Sequence, residues 1–292
     1  MKQDAKSLDA RQGGSRLRRV SGRHNPRLKE LRQAFRRGEL TAKGECAIEG
    51  IRLVEEALRS GQPLGGVFFR ESSRPLAEKL LPQINARVET LLLPDSLFDS
   101  IVPSDTPQGV AALVKLRSAS TDQLLERSPA GPIVVAVGIQ DPGNLGTILR
   151  SAEAFGAAGV FLAEGTVSPY NSKALRGSAG SIFRLPVVKI ASAELVPLLR
   201  QRGVRLVATS SHKGTPLPEA NWTLPLAIFI GNEGAGLPRD LMHQMDETLV
   251  IPQAAQVESL NAGVAASIVL YEAARKRMLT TEAQSHGGNQ NL

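Results

Sequence analysis

Hydrophobic residues in the second half of the chain form short apolar runs, separated by longer stretches with helical spacing. The runs are rich in Val, Ile and Leu. Near-continuous apolar strands that alternate with helices are typical of a parallel sheet whose two faces are both covered. A long final helix is predicted from Leu260 to the basic stretch 275–277, since cations suit a helix C-terminus. The predicted strands cover 133–137, 160–163, 204–209, 226–230 and 248–251.

The first half of the chain changes between helical and strand spacing over shorter distances. Leu28, Leu31 and Phe35 share one face of a predicted helix that starts at Pro26. The pattern as a whole indicates a small mixed α/β domain. The elements predicted after the first helix are a helix over 45–60, a strand over 67–69, a helix over 76–86 and strands over 88–92 and 108–115.

These patterns divide the chain into two α/β domains that polar tails flank. The start of the chain is rich in Gly, Arg and Ser, and such a composition predicts disorder. A mixture of Ser, Thr and Pro between the two domains predicts a linker. The predicted order is a disordered basic tail (1–20), a small mixed α/β domain (21–117), a linker (118–131), a parallel-sheet α/β domain (132–280) and a disordered tail (281–292).

The composition excludes several classes of protein. The chain has 292 residues, of which 42% are hydrophobic and 22% charged, as is ordinary for a globular protein. It contains neither the roughly 18 consecutive apolar residues of a membrane span nor the apolar segment of a secretory signal. Its one cysteine, Cys46, cannot form an internal disulfide, so we expect a reducing, cytoplasmic setting. The four histidines are scattered along the sequence, so together with the one cysteine they predict no metal site.

The positive charge is concentrated at the start of the chain. Residues 1–40 contain 12 of the 35 Lys and Arg residues and 4 of the 28 acidic residues. The rest of the chain contains 23 basic and 24 acidic residues. Basic groups that neutralise phosphates release counterions, so a basic arm on a neutral body fits a nucleic acid partner. A solvated tail explains the same charge.

Polar residues and glycines collect in three loops, each at the end of a predicted strand. The first loop, 140–146, precedes a helix that carries Arg150. Loops at the carboxyl ends of parallel strands bind ligands in open α/β sheets. Asn144 is a candidate cap for that helix, and Arg150 lies one turn inside it, where a guanidinium suits a phosphate or a carboxylate. A simple turn at 141–144 explains the motif as well.

The second loop, 231–236, has the sequence Gly-Asn-Glu-Gly-Ala-Gly. Three glycines in six residues permit positive φ and a close backbone approach to a ligand. Glu233 favours contact with a cation, a ribose hydroxyl or an amine over a phosphate. The order of the glycines differs from the dinucleotide-binding and phosphate-loop motifs, which argues against a dehydrogenase. A glycine-rich turn without a ligand is the alternative.

The third loop, 251–261, leads from the last predicted strand into the final helix. Ser259 is a candidate N-cap for this helix, and Asn261 is predicted to lie just inside it. No Ser/His/Asp or Cys/His set occurs beside the three loops, so nucleophilic hydrolysis is not predicted.

Together the three loops resemble, in order and spacing, the motifs of the SpoU (TrmH-type) RNA 2′-O-ribose methyltransferases of the SPOUT superfamily. The third motif departs from that family at Gln253 and Ala255, where Met and Gly are common. The segments 25–29 and 49–56 are similar to an RNA substrate-binding domain with an L30-like fold. The residues that carry the resemblance are Asp141-Pro-x-Asn144-x-Gly146-x-x-x-Arg150, Gly231-Asn-Glu233-Gly and Ile251-Pro-x₆-Ser259-Leu-Asn261.

The resemblance implies an enzyme that uses S-adenosylmethionine. It also implies a trefoil knot in the C-terminal domain and a homodimer whose active site is completed across the interface. Arg150 is the implied catalytic residue at the ribose 2′-hydroxyl. Because arginine stays protonated, binding of the adjacent phosphate is favoured over base catalysis as its role. The implied supporting catalytic residues are Asn144, Glu233, Ser259 and Asn261. The implied cofactor-binding residues are Thr209, Gly231, Ile251 and Leu260.

The leading function is therefore methyl transfer to a ribose 2′-hydroxyl in structured RNA, with ribosomal RNA favoured over transfer RNA. The alternative is a non-catalytic RNA-binding or ribosome-assembly protein, which would not need Arg150 or Glu233. A solvated helix face explains the basic residues of the first domain as well as RNA binding does. The candidate RNA contacts are Arg23, Arg27, Lys29, Arg32, Arg36 and Arg37.

Overall fold

The structure is a computed structural model that describes residues 16–20, 22, 25–211, 213–254 and 259–287, with side chains described as far as 279. The chain divides into two compact units, Met1–Lys115 and Leu116–Leu292. Arg23 lies outside the described residues, as do 1–15 and 288–292 of the predicted tails. Within the described part of the chain, no helix is long and apolar enough to span a membrane.

The N-terminal unit is built on a five-stranded mixed sheet. The sheet order is β1-β4-β3-β5-β2, in which β1, β4 and β3 run parallel and β5 pairs antiparallel with both of its neighbours. Helix α1 packs Leu28 and Leu31 against one face, in a core shared with Phe68 and Phe98. The elements are β1 (Leu17–Arg19), α1 (Pro26–Arg37), β2 (Glu45–Glu49), α2 (Ile51–Arg59), β3 (Leu64–Arg70), α3 (Arg74–Leu80), β4 (Thr90–Leu93), α4 (Asp95–Asp99) and β5 (Val110–Lys115).

The helix predicted over 45–60 is wrong for its first five residues. Glu45–Glu49 is strand β2, buried on both faces and paired antiparallel with β5. Gly50 separates this strand from α2 and has a φ of 102°, a conformation that favours glycine and stops a helix from extending backwards. A fully buried strand carries apolar residues in succession, so its pattern cannot be told from that of a buried helix.

Part of the predicted basic tail is also ordered. Leu17–Arg19 is strand β1, which lies parallel to β4 at the edge of the sheet. Arg16 donates to the carbonyl oxygens of Leu81 at 2.9 Å and Ile84 at 2.6 Å, and Arg19 forms an ion pair with Glu71 at 2.7 Å. Arginines that find carbonyl and carboxylate partners on the same domain hold this segment in place.

The C-terminal unit contains a seven-stranded sheet in which every pair of strands is parallel, so the predicted parallel sheet is confirmed. Its order is β10-β12-β9-β11-β6-β7-β8. The elements are α5 (Thr121–Glu126), β6 (Ile133–Ala136), α6 (Pro142–Ala154), β7 (Gly159–Leu162), α7 (Ser172–Ser178), β8 (Val187–Lys189), α8 (Ser192–Gln201), β9 (Arg205–Ser210), β10 (Thr215–Pro216), β11 (Leu226–Ile230), α9 (Arg239–Met242), β12 (Glu247–Val250) and α10 (Ala262–Gly287).

The order of the strands brings the three loops to one edge of this sheet. Strand β11 lies between β6 and β9, and β12 lies on the other side of β9. Because all of these strands are parallel, the loops that follow β6, β11 and β12 leave from the same edge. The short outer strands β8 and β10 were not predicted, since two or three residues are too few to form an apolar run. The trefoil knot that the resemblance implies stays a prediction.

Two segments predicted to lack packed structure belong to the C-terminal unit. The predicted linker contains α5, which opens with a reciprocal pair of hydrogen bonds between Ser120 and Gln123. Leu124 and Leu125 are buried in the core of the sheet, so apolar burial anchors this segment. Residues 281–287 of the predicted C-terminal tail are helical and belong to α10, and Glu282, Ala283 and Gln284 among them favour a helix.

We predict that Leu124→Ala lowers the free energy of unfolding of the C-terminal unit by about 2–5 kcal/mol, because a buried leucine that is truncated leaves a cavity. Trp222 is the one tryptophan of the chain and is buried in this unit, so its fluorescence during urea unfolding measures the change. Leu279→Ala is the matched control at a half-exposed leucine, with an expected change below about 0.5 kcal/mol. Equal effects of the two substitutions would contradict the assignment of α5 to the core.

Candidate active site

The first loop ends in a helix cap that leaves the side chain of Asn144 available. Asp141 is the N-cap of α6, and its carboxylate accepts a hydrogen bond from the backbone N–H of Asn144 at 2.9 Å. The prediction that Asn144 caps this helix is therefore wrong, because Asp141 is positioned first along the chain and has the same capping ability. Asn144 lies in the first turn of α6, and its side-chain carboxamide takes no part in the cap.

That carboxamide joins the three loops. The nitrogen of Asn144 donates to a carboxylate oxygen of Glu233, in the second loop. The oxygen of Asn144 accepts a hydrogen bond from the side-chain nitrogen of Asn261 at 2.7 Å, at the end of the third loop. Three of the predicted catalytic residues thus form one hydrogen-bonded chain, although up to 117 positions of sequence separate them.

The second loop closes on itself through its own polar groups. Asn232 accepts from the backbone N–H groups of Gly234 at 2.9 Å and Ala235 at 3.2 Å, and it donates to the carbonyl oxygen of Gly138 at 3.1 Å. A Cβ on Gly231 would lie 2.4 Å from the carbonyl carbon of Gly236. Gly231 is therefore required for closure of the loop itself. Asn232 was not predicted as a site residue. The signal that could have identified it is its position directly after Gly231, the glycine that follows strand β11.

The third loop ends at Asn261, which is the cap of α10. Its side-chain oxygen accepts from the backbone N–H of Val264 at 3.2 Å, and the helix begins at Ala262. The prediction that Ser259 is the cap is wrong, because the helix starts two residues later than expected. Ser259 instead lies on the wall of a cavity.

This cavity has a volume of about 340 Å³ and lies at the ends of β9, β11 and β12. All four residues predicted to bind the cofactor are on its wall, and Glu233 and Ser259 are there as well. Asn144 and Asn261 lie outside the lining and reach it through Glu233. The predicted cofactor-binding residues that line this one cavity are Thr209, Gly231, Ile251 and Leu260.

Arg150 stands apart from this group. It lies in the second half of α6, its side chain is exposed, and it makes no hydrogen bond or ion pair with any residue that the structure describes. The helix carries it beyond Asn144 along the surface of the C-terminal unit. The structure therefore leaves the Arg150 guanidinium available for an anion outside the cavity.

Lys173 is a residue near the site that the sequence did not indicate. Its ammonium lies 2.7 Å from the carboxylate of Asp141, on the exposed rim of the first loop. The hydrogen bond from Lys173, followed by that from the backbone of Asn144, lowers the pKa of Asp141. The cap of α6 thus stays ionised into acidic solution. No motif spacing links Lys173 to Asp141, which explains why the sequence alone did not reveal the pair.

The cavity fits S-adenosylmethionine in size and chemistry. Its volume lies within the range of roughly 300–1,000 Å³ that small-molecule sites occupy. Ile251 and Leu260 offer apolar wall to a purine ring, and Thr209 and Glu233 offer polar groups to hydroxyls and amines. The side-chain oxygen of Gln253, also on the wall, is buried and has no hydrogen-bond partner among the described residues. A ligand that brings N–H donors fits such a wall.

Both halves of the chain match known families. Residues 131–271 match the SpoU rRNA methylase family, and residues 25–112 match the MRM3-like substrate binding domain. A relative from Bacillus subtilis, the 23S rRNA (guanosine(2553)-2′-O)-methyltransferase RlmP, is 31% identical over 255 residues, which cover 87% of this chain and 98% of the relative.

Solved structures agree with this match. The SpoU methyltransferase AviRb from Streptomyces viridochromogenes, in complex with AdoMet, is 29% identical with a TM-score of 0.76, and the match covers 87% of this chain and 99% of AviRb. An AdoMet-bound rRNA methyltransferase from Sinorhizobium meliloti is 29% identical with a TM-score of 0.76, over 90% of this chain and 99% of that protein. The chain therefore belongs to the SpoU methyltransferase family, and the predicted enzyme class, an S-adenosylmethionine-dependent RNA 2′-O-ribose methyltransferase, is confirmed.

Proposed function

We propose that this enzyme methylates a ribose 2′-hydroxyl in ribosomal RNA, with the cofactor bound in the cavity described above and the reaction assisted by Arg150, Asn144, Glu233, Ser259 and Asn261. The observation that carries the proposal is the convergence of all four expected cofactor-binding residues on one wall, beside the hydrogen-bonded chain of Glu233, Asn144 and Asn261. Ribosomal RNA is the substrate class that the Bacillus subtilis relative modifies. We place the activity in the cytoplasm, because a reducing compartment suits the one cysteine of the chain, Cys46, which is buried and free.

Bound S-adenosylmethionine supplies an electrophilic methyl group on a sulfonium. The protein must hold the ribose oxygen in line with that methyl group, and orientation of this kind lowers the barrier by several kcal/mol in well-positioned systems. It must also assist loss of the hydroxyl proton. The residues of this chain therefore have two tasks, which are to orient the ribose and to receive or stabilise the charge at its 2′-oxygen.

Glu233 is oriented for the first of these tasks. One of its carboxylate oxygens accepts from Asn144, which Asn261 in turn holds at 2.7 Å. The second carboxylate oxygen can then accept from a hydroxyl or an amine at the cavity wall. Ser259, two residues before the cap of α10, adds a hydroxyl to the same wall.

Arg150 carries the second task in this proposal. Its exposed guanidinium has no partner among the described residues, and arginine binds phosphate in a bidentate manner. Because arginine remains protonated, it can grip the phosphate beside the target ribose and stabilise negative charge on the 2′-oxygen. Proton loss then proceeds to solvent or to a neighbouring acceptor, without Arg150 acting as a base.

A second copy of the chain is proposed to cover the exposed apolar face of α10. Val264, Ile268 and Tyr271 are 46%, 37% and 53% exposed, and their spacing places them on one side of the helix. Tyr271 also packs edge-on against Phe155 at the end of α6, with ring centroids 5.7 Å apart. A twofold axis through this face would pair α10 with its own copy. Since α6 packs beside α10 and carries Arg150, the partner would lie next to the proposed RNA-binding arginine.

The basic face of α1 is the proposed RNA contact of the N-terminal unit. Arg27 is a poor candidate, because it forms ion pairs with Glu30 at 2.7 Å and Glu45 at 3.2 Å. Partial burial lowers the pKa of Arg27, but these two carboxylates outweigh burial and raise it overall. The residues that remain on the solvent side of the helix are Lys29, Arg32, Arg36 and Arg37.

We predict that the enzyme transfers labelled methyl from S-adenosylmethionine to unmodified ribosomal RNA and not to transfer RNA. A 2′-O-methyl group blocks alkaline cleavage of its own linkage, so the label should survive in alkali-resistant dinucleotides. Label in mononucleotides would show that a base is methylated and would contradict the reaction. Label in transfer RNA alone would overturn the substrate class.

We predict that Arg150→Ala lowers kcat by about 10²–10³-fold, the effect of removing one donor that stabilises a developing oxyanion. The dissociation constant of S-adenosylhomocysteine should change less than twofold, because Arg150 lies outside the cavity wall. Arg127→Ala is the control at another exposed arginine of the same unit. Near-normal turnover of Arg150→Ala would remove the arginine from the mechanism.

We predict that wild-type protein has twice the chain mass of 31.2 kDa by light scattering, and that Ile268→Glu shifts it to the monomer. Burial of a new carboxylate in an apolar interface disfavours association. Methyl transfer should fall with the dimer fraction if the partner completes the site. Leu40→Glu, at an exposed leucine of the N-terminal unit, should remain dimeric. A monomeric wild-type enzyme with full activity would contradict the proposal.

A further inference from the structure

Gln253 has a buried acceptor that the protein does not use. The residue lies three positions after β12, on the wall of the cofactor cavity. Its side-chain oxygen is shielded from water and has no hydrogen-bond partner among the residues that the structure describes. A buried acceptor without a donor loses its hydration and gains nothing in return, so such groups are rare in folded proteins.

Other polar side chains on the same wall have partners within the protein. The carboxamide of Asn232 makes three hydrogen bonds to backbone groups, and Glu233 accepts from Asn144. The hydroxyl of Thr209 donates to the carbonyl oxygen of Phe229 at 3.3 Å. Among the described residues of this wall, Gln253 is therefore the one whose buried side-chain oxygen lacks a partner. A ligand in the cavity is the natural source of the missing donor.

The chemistry of the expected ligand narrows the choice of donor. S-adenosylmethionine carries N–H groups at the 6-amino group of adenine and at the ammonium of its amino-acid end. The wall beside Gln253 is apolar at Ile251 and suits a neutral donor, because a cation would lose far more hydration free energy on entering such a place. Ile251, two residues earlier on the same wall, supplies the apolar surface that a purine ring requires.

We propose that Gln253 is a cofactor-binding residue whose side-chain oxygen accepts a hydrogen bond from the 6-amino group of adenine. Rotation about the terminal torsion of glutamine, which is broad in energy, turns this oxygen toward the bound ring. The inference rests on the placement of the cofactor in this cavity under the proposed function. At this position, where methionine is common in the family, glutamine would add a hydrogen bond to the cofactor, because the thioether of methionine is only a weak acceptor.

The test measures ligand binding and does not depend on methyl transfer. Calorimetry with S-adenosylhomocysteine should give about tenfold weaker binding to Gln253→Met than to the wild-type protein, the loss expected for one net hydrogen bond of about 1.4 kcal/mol. The same factor is expected with 5′-methylthioadenosine, which keeps the adenine amine but lacks the amino-acid end. An effect seen with S-adenosylhomocysteine alone would assign the donor to the ammonium and overturn the proposal.

A third ligand isolates the amine. The analogue of 5′-methylthioadenosine that has hydrogen in place of the 6-amino group should bind wild type and Gln253→Met within twofold of each other. A tenfold difference with this analogue would show that the ribose or the packing is responsible. Gln201→Met makes the same chemical change at an exposed glutamine outside the cavity and should leave all three dissociation constants unchanged.

The stability of the ligand-free protein separates this role from a structural one. Gln253→Met removes an unpaired buried acceptor, so the melting temperature without ligand should stay the same or rise. A lower melting temperature together with weaker binding of all three ligands would mean that Gln253 supports the loop and not the cofactor. If Thr209→Val and Leu260→Ala leave wild-type affinity for S-adenosylhomocysteine intact, the cavity itself is wrongly assigned. If those variants lose affinity and Gln253→Met does not, only the inference on Gln253 fails.

Discussion

The carboxamide of Asn144 is the interaction on which the arrangement of the site depends. It donates to Glu233 and accepts from Asn261, so one side chain joins three loops that are distant in sequence. Because β6 and β11 are neighbours in the sheet, the loops that follow them meet without a further connection. An amide suits this position because it presents a donor to one neighbour and an acceptor to the other. A carboxylate or an apolar residue would leave a polar neighbour unpaired.

Small residues hold the helix that carries this amide. A Cβ on Gly146 would lie 2.7 Å from the carbonyl oxygen of Ala174, so α6 and α7 are in backbone contact. On the side facing α10, a Cβ on Gly263 would lie 2.9 Å from the Cβ of Thr147. Close packing on both sides leaves α6 little room to shift. The geometry of Asn144 is therefore set by glycines that lie outside the lining of the cavity.

The sequence predicted the central strands of the C-terminal sheet because strands covered on both faces appear as apolar runs. It failed at 45–49, where a buried strand and a buried helix give the same pattern. It located the three site loops but misassigned their caps, since Asp, Asn and Ser all cap helices well and only the backbone path decides among them. Because Asp141 caps α6 and Asn261 caps α10, the Asn144 carboxamide and the Ser259 hydroxyl are not used in caps and are available to the site.

Helix α10 connects the polar site to the apolar surface. Its cap, Asn261, holds Asn144, whereas its later turns carry Val264, Ile268 and Tyr271 on the exposed side. A second copy packed on that side would fix the helix, and through Asn261 it would fix the amide that orients Glu233. Arg150 lies on α6, which packs against the same helix. Dimerisation and orientation of the reacting groups would then depend on one rigid element, so a chain that binds the cofactor as a monomer could still be a poor catalyst.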